Sequence, residues 1–574
     1  MSQTAAVPAQ AAPRVRADPI GLFAVGVGLV LGFLALYPTF MLFYGSVSSA
    51  PLGLSGTFTL EHYRTAYADP ETYRLLANSF LFAGGSALLS LLLAGVLAWI
   101  TIRTNAPGAG LFEMVALVPN VLPSLLISTS WVLLLSPRIG LINVVLARVG
   151  IPPLNVYSMG GMIFVEGLVL TPLAYLIISA SMRSMDPALE EAARIAGSST
   201  LTAARRVTVP LIRPALLAAG ALNFVRALES FETPAIIAIP ARLDVLTTKI
   251  YREAISVSPP NHNLAATYGM SLLVITLTLV YLYRRLTARS ERFATITGRA
   301  FRPHTIDLGR WRVAGTAAAA LILGMIVALP FLVLVLTSLL PFYEVPTWAT
   351  LKVLTLKHYD YLLHNERVAR AFQISGLLAT VGATAAMILA SAVGYLTVRT
   401  KLRGRGILDA LTFIPWAFPG TALAIGLLWG YVRLPIAIYA TIWILLIAYV
   451  TRFLPYGLRT MTSTMVQVHA ELEEASRVCG AGVLATFRRI LLPLLRPGFM
   501  AGWAILATIF MREFSLSLFL YTPSSEPLGP LLYHFWIDAQ AGRMAALGVL
   551  VSLVSVALVT VARRVTRGAV RAEG

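Results

Sequence analysis

Two short stretches place carboxylates beside small side chains in a chain that has few acidic residues. LEEAARIAG occupies 189–197 and LEEASRVCG occupies 472–480, whereas only 26 of the 574 residues are Asp or Glu. Glu190 precedes Arg194 by four positions, and Glu473 precedes Arg477 in the same way. This order favours an ion pair on a helix surface. The chemistry predicted is ion pairing and contact with a partner, and no catalytic residue is predicted.

The first stretch predicts a short helix, a sharp turn and a second helix. Asp186 and Pro187 form a typical helix start, with a capping side chain followed by proline at the first helical position. Gly197 is expected to end the helix, and Ser198, Ser199 or Thr200 can cap the next one. The helix carries an apolar face of small side chains at helical spacing, formed by Leu189, Ala192, Ala193 and Ala196.

The second stretch repeats these features. Its apolar face consists of Leu472, Ala475, Ser476 and Cys479, and Gly480 ends the helix. The second helix of each copy carries two arginines and ends at Pro210 or Pro493. Each copy is therefore predicted to be a rigid helix-turn-helix that a partner can approach closely.

Composition indicates where these elements lie. Hydrophobic residues make up 57% of the chain and charged residues 12%, against about 25% charged in a soluble domain. The apolar runs reach the roughly 20 residues that cross a bilayer. The single cysteine, Cys479, excludes an intramolecular disulfide and a Cys-rich metal motif. We therefore expect an all-α integral membrane protein without a metal site of its own.

Twelve spans are predicted, six in each half of the chain. Those of the first half lie near 19–46, 76–102, 111–135, 160–183, 214–239 and 264–283. Those of the second half lie near 313–340, 372–398, 408–431, 435–458, 497–521 and 544–562. The predicted units are a tail (1–18), a first repeat (19–290, with loop 184–213), a basic linker (291–312), a second repeat (313–565, with loop 459–496) and a tail (566–574).

Arginine distribution predicts the orientation of these spans. Segment 284–312 holds eight arginines and segment 183–213 holds five, whereas segment 46–74 holds two arginines against three acidic residues. Because short cytoplasmic loops carry the excess of Lys and Arg, the first two segments and both termini are predicted to be cytoplasmic. The net charge of +19 also raises nucleic acid as a partner. The arginines are concentrated beside helix ends, which favours a role in membrane orientation over nucleic-acid binding. We therefore expect no nucleic-acid partner.

The two halves are related by an internal repeat. TLEHY at 59–63 recurs as TLKHY at 355–359, and WITIRT at 99–104 recurs as YLTVRT at 395–400, both at an offset of 296. PNVLPS at 119–124 pairs with PWAFPG at 415–420. Beyond an extra loop in the first half the offset becomes 283, which pairs the two glutamate-rich stretches. Because each copy has an even number of spans, both copies are predicted to have the same orientation.

The repeated stretches resemble the EAA motif of the membrane subunits of ATP-binding cassette (ABC) importers with the type I fold. A glycine lies six residues after Glu191 or Glu474, and a proline lies nineteen residues after it, as that motif requires. The second copy departs from the motif at Ser476 and Cys479, and His469 replaces Asp186. The resemblance implies a fused pair of six-helix permeases in a bacterial inner membrane.

It also implies coupling helices that dock into two copies of a cytoplasmic ATPase. The implied coupling residues are Glu190, Glu191, Ala192, Ala193, Gly197 and Pro210, with Glu473, Glu474, Ala475, Ser476, Gly480 and Pro493. The other implied partner is a periplasmic solute-binding protein. The ATPase must be a separate chain that binds ATP and Mg, because no lysine here precedes Ser or Thr as a P-loop requires. We expect this chain to be no enzyme and to bind no cofactor.

Ionisable residues in the fifth span of each half suggest a pathway. Glu229 in the first half, and Arg512 and Glu513 in the second, are candidates because intramembrane charges usually line a pathway or pair with one another. A structural pair between Arg226 and Glu229 near the membrane edge is the alternative. A secondary transporter can also have twelve spans, but it does not need two matched docking loops. A structural scaffold does not need buried charge in the fifth span of each half.

The fused halves look most like the ferric iron branch of this family, whose relatives include thiamine and 2-aminoethylphosphonate importers. No ligand cluster in the sequence identifies iron. Ferric iron is therefore the solute that the resemblance implies, with thiamine, 2-aminoethylphosphonate or another small solute as alternatives.

Overall fold

Helices form nearly the whole protein in the computed structural model. It describes residues 19–116, 122–186, 188–287, 305–344, 350, 352–436, 438–469 and 471–572. The terminal tail 1–18, Pro187 and most of the basic linker, which the sequence analysis singled out, lie outside these residues.

Nine helices in the described part of the chain are long and apolar enough to cross a membrane. Numbered by their place among the twelve predicted spans, they are span 1 (Ile20–Val47), span 2 (Pro70–Arg103), span 4 (Met159–Ser184), span 6 (His262–Tyr283), span 7 (Gly309–Leu339), span 8 (Glu366–Val398), span 10 (Ile442–Gln467), span 11 (Phe487–Met511) and span 12 (Ala541–Thr560). The predicted multi-span helical fold is confirmed.

The other three predicted spans are not straight helices. Span 5 consists of Ala204–Leu211 and Arg213–Glu229, bent by 63°, and span 9 consists of Arg405–Ala417 and Gly420–Tyr431, bent by 107°. Span 3 comprises Ala109–Val115 and Ser124–Leu135, with 117–121 outside the described residues. The uninterrupted helix predicted at 408–431 is wrong because Pro415 and Pro419 each remove a backbone donor where the chain turns.

The fifth span of each half also ends earlier than predicted. The helix expected over 214–239 stops at Glu229, where Ser230 has extended backbone, and a new helix covers Glu232–Ala241. The helix expected over 497–521 stops at Met511, before a short helix at Ser517–Leu520. Both breaks fall beside the ionisable residues that the sequence analysis singled out.

Shorter helices lie at the two ends of the bundle. One end holds Ala188–Ile195, Thr200–Ala203, Glu471–Val478 and Val483–Thr486, and we call it the coupling end. Other short helices are Glu61–Ala68, Leu141–Arg148, Leu246–Tyr251, Lys357–His364 and Leu528–Ile537. Repeat-related caps begin spans 2 and 8: Glu71 N donates to the Asp69 carboxylate (2.9 Å), and Val368 N donates to the Asn365 side chain (3.2 Å).

The two halves interlock through their first and third spans. Span 1 packs against Gly420–Tyr431 of the other half, and span 7 packs against Ser124–Leu135. The Tyr37 hydroxyl donates to the Gly430 carbonyl (2.9 Å), and the Tyr343 hydroxyl donates to the Leu133 carbonyl (2.5 Å). Because each first span lies on the opposite half, the repeats form one body rather than two separate bundles.

The chain entering the second half is fixed to the coupling end of the first. Ile306 forms a parallel β-bridge with Thr104, and Asn105 donates to the carboxylate of Asp307 (2.7 Å). The pKa of the exposed Asp307 lies below its ordinary value because the backbone N–H of Gly309, the Asn105 amide and the Arg312 guanidinium all stabilise its charged form. The end of span 2 therefore holds this segment in place.

Candidate functional site: coupling helices and the interface between the halves

The first coupling helix, Ala188–Ile195, has the predicted start and stop. Ala188 N donates to the Asp186 carboxylate (2.9 Å), so Asp186 is the cap. Gly197 has φ +85°, and Ser198 N donates to the Ala193 carbonyl (3.0 Å). This is the left-handed helix stop that glycine favours. Ser199 then accepts a bond from Thr202 N (3.3 Å) and begins the next helix.

The second coupling helix, Glu471–Val478, has the same geometry with a different start. Gly480 has φ +80°, and Ala481 N donates to the Ser476 carbonyl (3.0 Å). At its start, Leu472 N donates to the backbone carbonyl of His469 (3.4 Å). The motif departure at Ser476 is accommodated, because its hydroxyl lies 2.9 Å from that of Thr486.

Both coupling helices leave an apolar strip uncovered. Ile195 and Val478 are each 88% exposed, and Leu189 and Leu472 are nearly half exposed. Ala192 and Ala475 are exposed, whereas Ala193 is half-buried and contributes less than predicted to this face. Glu191 and Glu474 are exposed on the same helices. The large apolar residues Ile195 and Val478 were not part of the predicted face of small side chains.

The first glutamate of each pair points inward. Glu190 is 4% exposed and Glu473 is 5% exposed. Glu190 lies 3.9 Å from Arg103 and accepts a hydrogen bond from the Thr208 hydroxyl, while Glu473 lies 3.3 Å from Arg399. The predicted surface placement of Glu190 and Glu473 is therefore wrong, because an arginine at the end of span 2 or span 8 binds each of them. The side chains of Arg194 and Arg477 lie outside the described residues.

The two predicted prolines follow the coupling loops into the fifth spans. Pro210 lies in Val209–Leu211, immediately before the 63° bend of span 5. Pro493 lies inside span 11 (Phe487–Met511), directly after a π-helical turn at Phe487–Leu491. Each proline therefore joins the helix-turn-helix to the membrane-spanning helix that follows.

A small cleft lies between the halves, in the region of span 5. The first half contributes Arg226 and Glu229, and the second half contributes Trp416, Arg452 and Tyr456. Glu229 lies 4.0 Å from Arg452 across the interface. Glu229 thus lies at the interface between the halves, and its placement on a pathway stays a prediction. Its ion-pair partner across the interface is Arg452 of the other half, and Arg226 of its own half lines the same cleft.

Residues at the 283 offset meet each other next to this cleft. The rings of Phe231 and Phe514 stack with centroids 5.7 Å apart, and the Ser515 hydroxyl donates to the Glu232 carboxylate (3.0 Å). These pairs place the pseudo-twofold axis beside Phe231. Glu229 and Arg512 also coincide at the 283 offset but bind different partners, and the repeat-related residues that meet come two and three positions later in the chain.

Arg512 and Glu513 have different surroundings. Arg512 crosses to the first half and donates to the Leu122 carbonyl (2.7 Å). The Glu513 carboxylate accepts bonds from the backbone N–H groups of Leu516 (2.8 Å) and Ser517 (3.0 Å). Glu513 therefore caps the short helix Ser517–Leu520, and its placement on a pathway stays a prediction.

An aromatic cluster continues along the axis from Phe231 and Phe514. Phe519 packs on Phe231 (centroids 5.8 Å) and on Tyr251 (5.9 Å), and Tyr533 packs on Phe514 (5.3 Å). These aromatic residues were not among the predicted site residues. The signal was available, since Phe231 and Phe514 coincide when the halves are aligned at 283.

The chain has the fold of a fused double permease of the type I ABC importer class. This class is defined here by two parallel sets of helices, a matched helix-turn-helix in each half and a charged interface between the halves. The chain belongs to the family of binding-protein-dependent transport system inner membrane components, whose profile matches residues 86–292 and 382–571. One copy of the matched region lies in each half, and each copy contains one coupling loop.

Two of the proteins similar to this chain are named as ferric transport permeases. The chain is 25% identical to the ferric transport system permease protein FbpB of Actinobacillus pleuropneumoniae over 92% of this chain and 76% of that protein. It is 25% identical to a putative ferric transport system permease of Haemophilus influenzae over 87% of this chain and 77% of that protein. A solved alginate ABC transporter matches at 20% identity with a TM-score of 0.39, covering 47% of this chain and 95% of that one.

Proposed function

We propose that this chain is the membrane subunit of an ATP-driven importer and that its two coupling helices dock into two copies of a separate cytoplasmic ATPase. The observation that carries this proposal is the repeated exposed strip, which has Leu189 and Ile195 in one half and Leu472 and Val478 in the other. An exposed apolar surface of this kind marks a site of protein interaction. The ATPase supplies the bound ATP and Mg, and a periplasmic binding protein delivers the solute.

The proposed orientation places the coupling end and both termini in the cytoplasm of a bacterial inner membrane. The arginine-rich segments 183–213 and 284–312 support it. The 46–74 loop then faces the periplasm.

The native cysteine tests this orientation. Cys479 is exposed on the second coupling helix and is the only cysteine of the chain. A membrane-impermeant maleimide should leave it unlabelled in intact cells that lack the ATPase and label it in inverted membrane vesicles. In a Cys479→Ser background, Leu54→Cys should show the opposite behaviour, because Leu54 is 62% exposed in the 46–74 loop. Labelling of Cys479 from outside would reverse the proposed topology.

We propose ferric iron as the transported solute, because two relatives that match most of the chain carry that name. Thiamine, 2-aminoethylphosphonate and another small solute are the alternatives. In the described residues, no three His, Cys, Asp or Glu side chains are grouped as metal ligands. We therefore assign selection of the solute to the binding protein and movement of the solute across the membrane to the permease.

Uptake by the reconstituted complex tests this assignment. Vesicles containing the chain, its ATPase and its binding protein should accumulate ferric iron only when ATP is supplied. Thiamine and 2-aminoethylphosphonate, offered at the same concentration, should not accumulate. ATP-dependent uptake of either organic solute with no response to iron would reject iron and leave the importer assignment intact.

A further inference from the structure

Each half buries one arginine and one glutamate at the coupling end. The side chains of Arg103 and Glu190 are 1% and 5% exposed, and those of Arg399 and Glu473 are 9% and 6% exposed. The arginines are related by the 296 offset and the glutamates by the 283 offset. Because the arrangement occurs twice, it is a property of the repeat and not an accident of one loop.

Each arginine also binds the end of a neighbouring span. Arg103 Nη2 donates to the Met185 carbonyl (3.4 Å), which follows span 4. Arg399 Nη2 donates to the carbonyls of Met465 (2.7 Å) and Val468 (2.6 Å) at the end of span 10. A guanidinium is suited to this position, because the last carbonyls of a helix lack partners and favour a cation. One side chain thus joins three elements: its own span, the end of span 4 or span 10, and the coupling helix.

Stability alone explains these pairs poorly. A buried ion pair is weak evidence for stability, because removing both charges from water offsets much of their attraction, and apolar residues of similar volume would pack as well. A buried charged pair differs from apolar packing because separating its two charges leaves each of them uncompensated, so the two groups are favoured to move together. The coupling helix presents Ile195 or Val478 outward and Glu190 or Glu473 inward. A displacement applied to the outer face therefore reaches the spans through the glutamate.

We propose that Arg103–Glu190 and Arg399–Glu473 are positioning pairs that transmit movement of the docked coupling helices to spans 2 and 4 and to spans 8 and 10. This inference rests on the proposed docking of an ATPase. The two glutamates of each motif then have separate tasks: Glu191 and Glu474 face the partner, and Glu190 and Glu473 connect the helix to the membrane spans.

The two pairs are not equivalent. Glu190 also accepts a hydrogen bond from Thr208, whereas the residue at the corresponding position of the second half is Leu491, which has no hydroxyl. Glu473 also lies closer to its arginine than Glu190 does, at 3.3 Å against 3.9 Å. Because the shorter distance gives the stronger attraction, we expect transmission through the second half to depend more strongly on the ion pair.

The test uses the assembled complex of permease, ATPase and binding protein in lipid vesicles. Glu190→Gln and Glu473→Gln keep the shape of each side chain and remove its charge. The double variant should retain wild-type ATPase stoichiometry, while stimulation of ATP hydrolysis by the solute-loaded binding protein falls by about fivefold or more relative to basal hydrolysis. Uptake should fall in parallel, and Glu473→Gln alone should have the larger effect of the two single variants.

Arg183→Gln is the matched control. Arg183 forms an ion pair with Glu113 near the same region, but its side chain is 49% exposed, and such pairs contribute little. Its ratio of stimulated to basal ATP hydrolysis should equal that of the wild type. A double glutamine variant whose ratio stays within about twofold of the wild type would overturn the inference, and so would one that no longer binds the ATPase. If the wild-type chain itself binds no ATPase, the proposed function fails instead.

Discussion

Replacing Gly197 and Gly480 together with valine is expected to lower uptake by about tenfold or more while the chain stays folded in the membrane. Both glycines have positive φ, +85° and +80°, and no heavy atom lies near the position that a Cβ would occupy. The space is therefore open, but a β-branched residue is strained in this backbone conformation, by roughly 1 to 3 kcal/mol. The strain is relieved by tilting the coupling helix, which weakens docking on both ATPase subunits.

The measurement is copurification of the ATPase with each single variant and with the double variant, followed by stimulated ATP hydrolysis and uptake. Gly150→Val is the matched control, because Gly150 also has positive φ (+76°) with open space around it but follows the helix Leu141–Arg148, away from both coupling loops. It should suffer similar backbone strain and keep its ATPase. Normal uptake by the double variant would show that these loops do not couple the ATPase to transport.

The coupling loops could be predicted in detail because short-range rules determine them. The cap at Asp186 and the stop at Gly197 depend on neighbouring backbone groups, and the structure confirms both. The direction of Glu190 could not be predicted in this way. Helical spacing favours an ion pair with a residue four positions away. The ion-pair partner of the buried Glu190 is instead Arg103 at the end of span 2, and that contact cannot be predicted from spacing along the chain.

The interface between the halves was predicted only in part. The 283 offset correctly indicated that spans 5 and 11 are related, and it aligned Phe231 with Phe514. The offset cannot say which aligned residues meet at the axis, because that depends on where the helices break and how the halves cross. Since span 5 ends at Glu229, the next residues turn toward the other half and place Phe231 against Phe514. Apolar content alone did not reveal that break.

Glu229, Arg452 and Arg512 are the interface residues whose removal is expected to affect transport most. Glu229 approaches Arg452 across the cleft (4.0 Å), and Arg512 binds the opposite half through Leu122 (2.7 Å). An ionisable residue within the membrane costs about 2.5 to 3.5 kcal/mol on insertion scales, which marks such residues as functional candidates. We expect their contacts to change when the halves move to admit a solute, because all of them cross the interface.

Glu229→Gln, Arg452→Gln and Arg512→Gln should each lower uptake by about tenfold or more, the effect of losing roughly 1.4 kcal/mol in the conformation that passes the solute. The ATPase should still copurify with these variants, because none of the three residues lies on a coupling helix. Glu253→Gln is the control: Glu253 pairs with Lys249 (3.2 Å) inside the first half and has a nearly buried side chain, so it tests the loss of a charge without touching the interface. Glu253→Gln should therefore keep uptake close to the wild-type rate. The contrary outcome is that the three interface variants take up solute as fast as Glu253→Gln in complexes of equal thermal stability. That result would show that the charges of Glu229, Arg452 and Arg512 are not needed for the solute to cross the membrane.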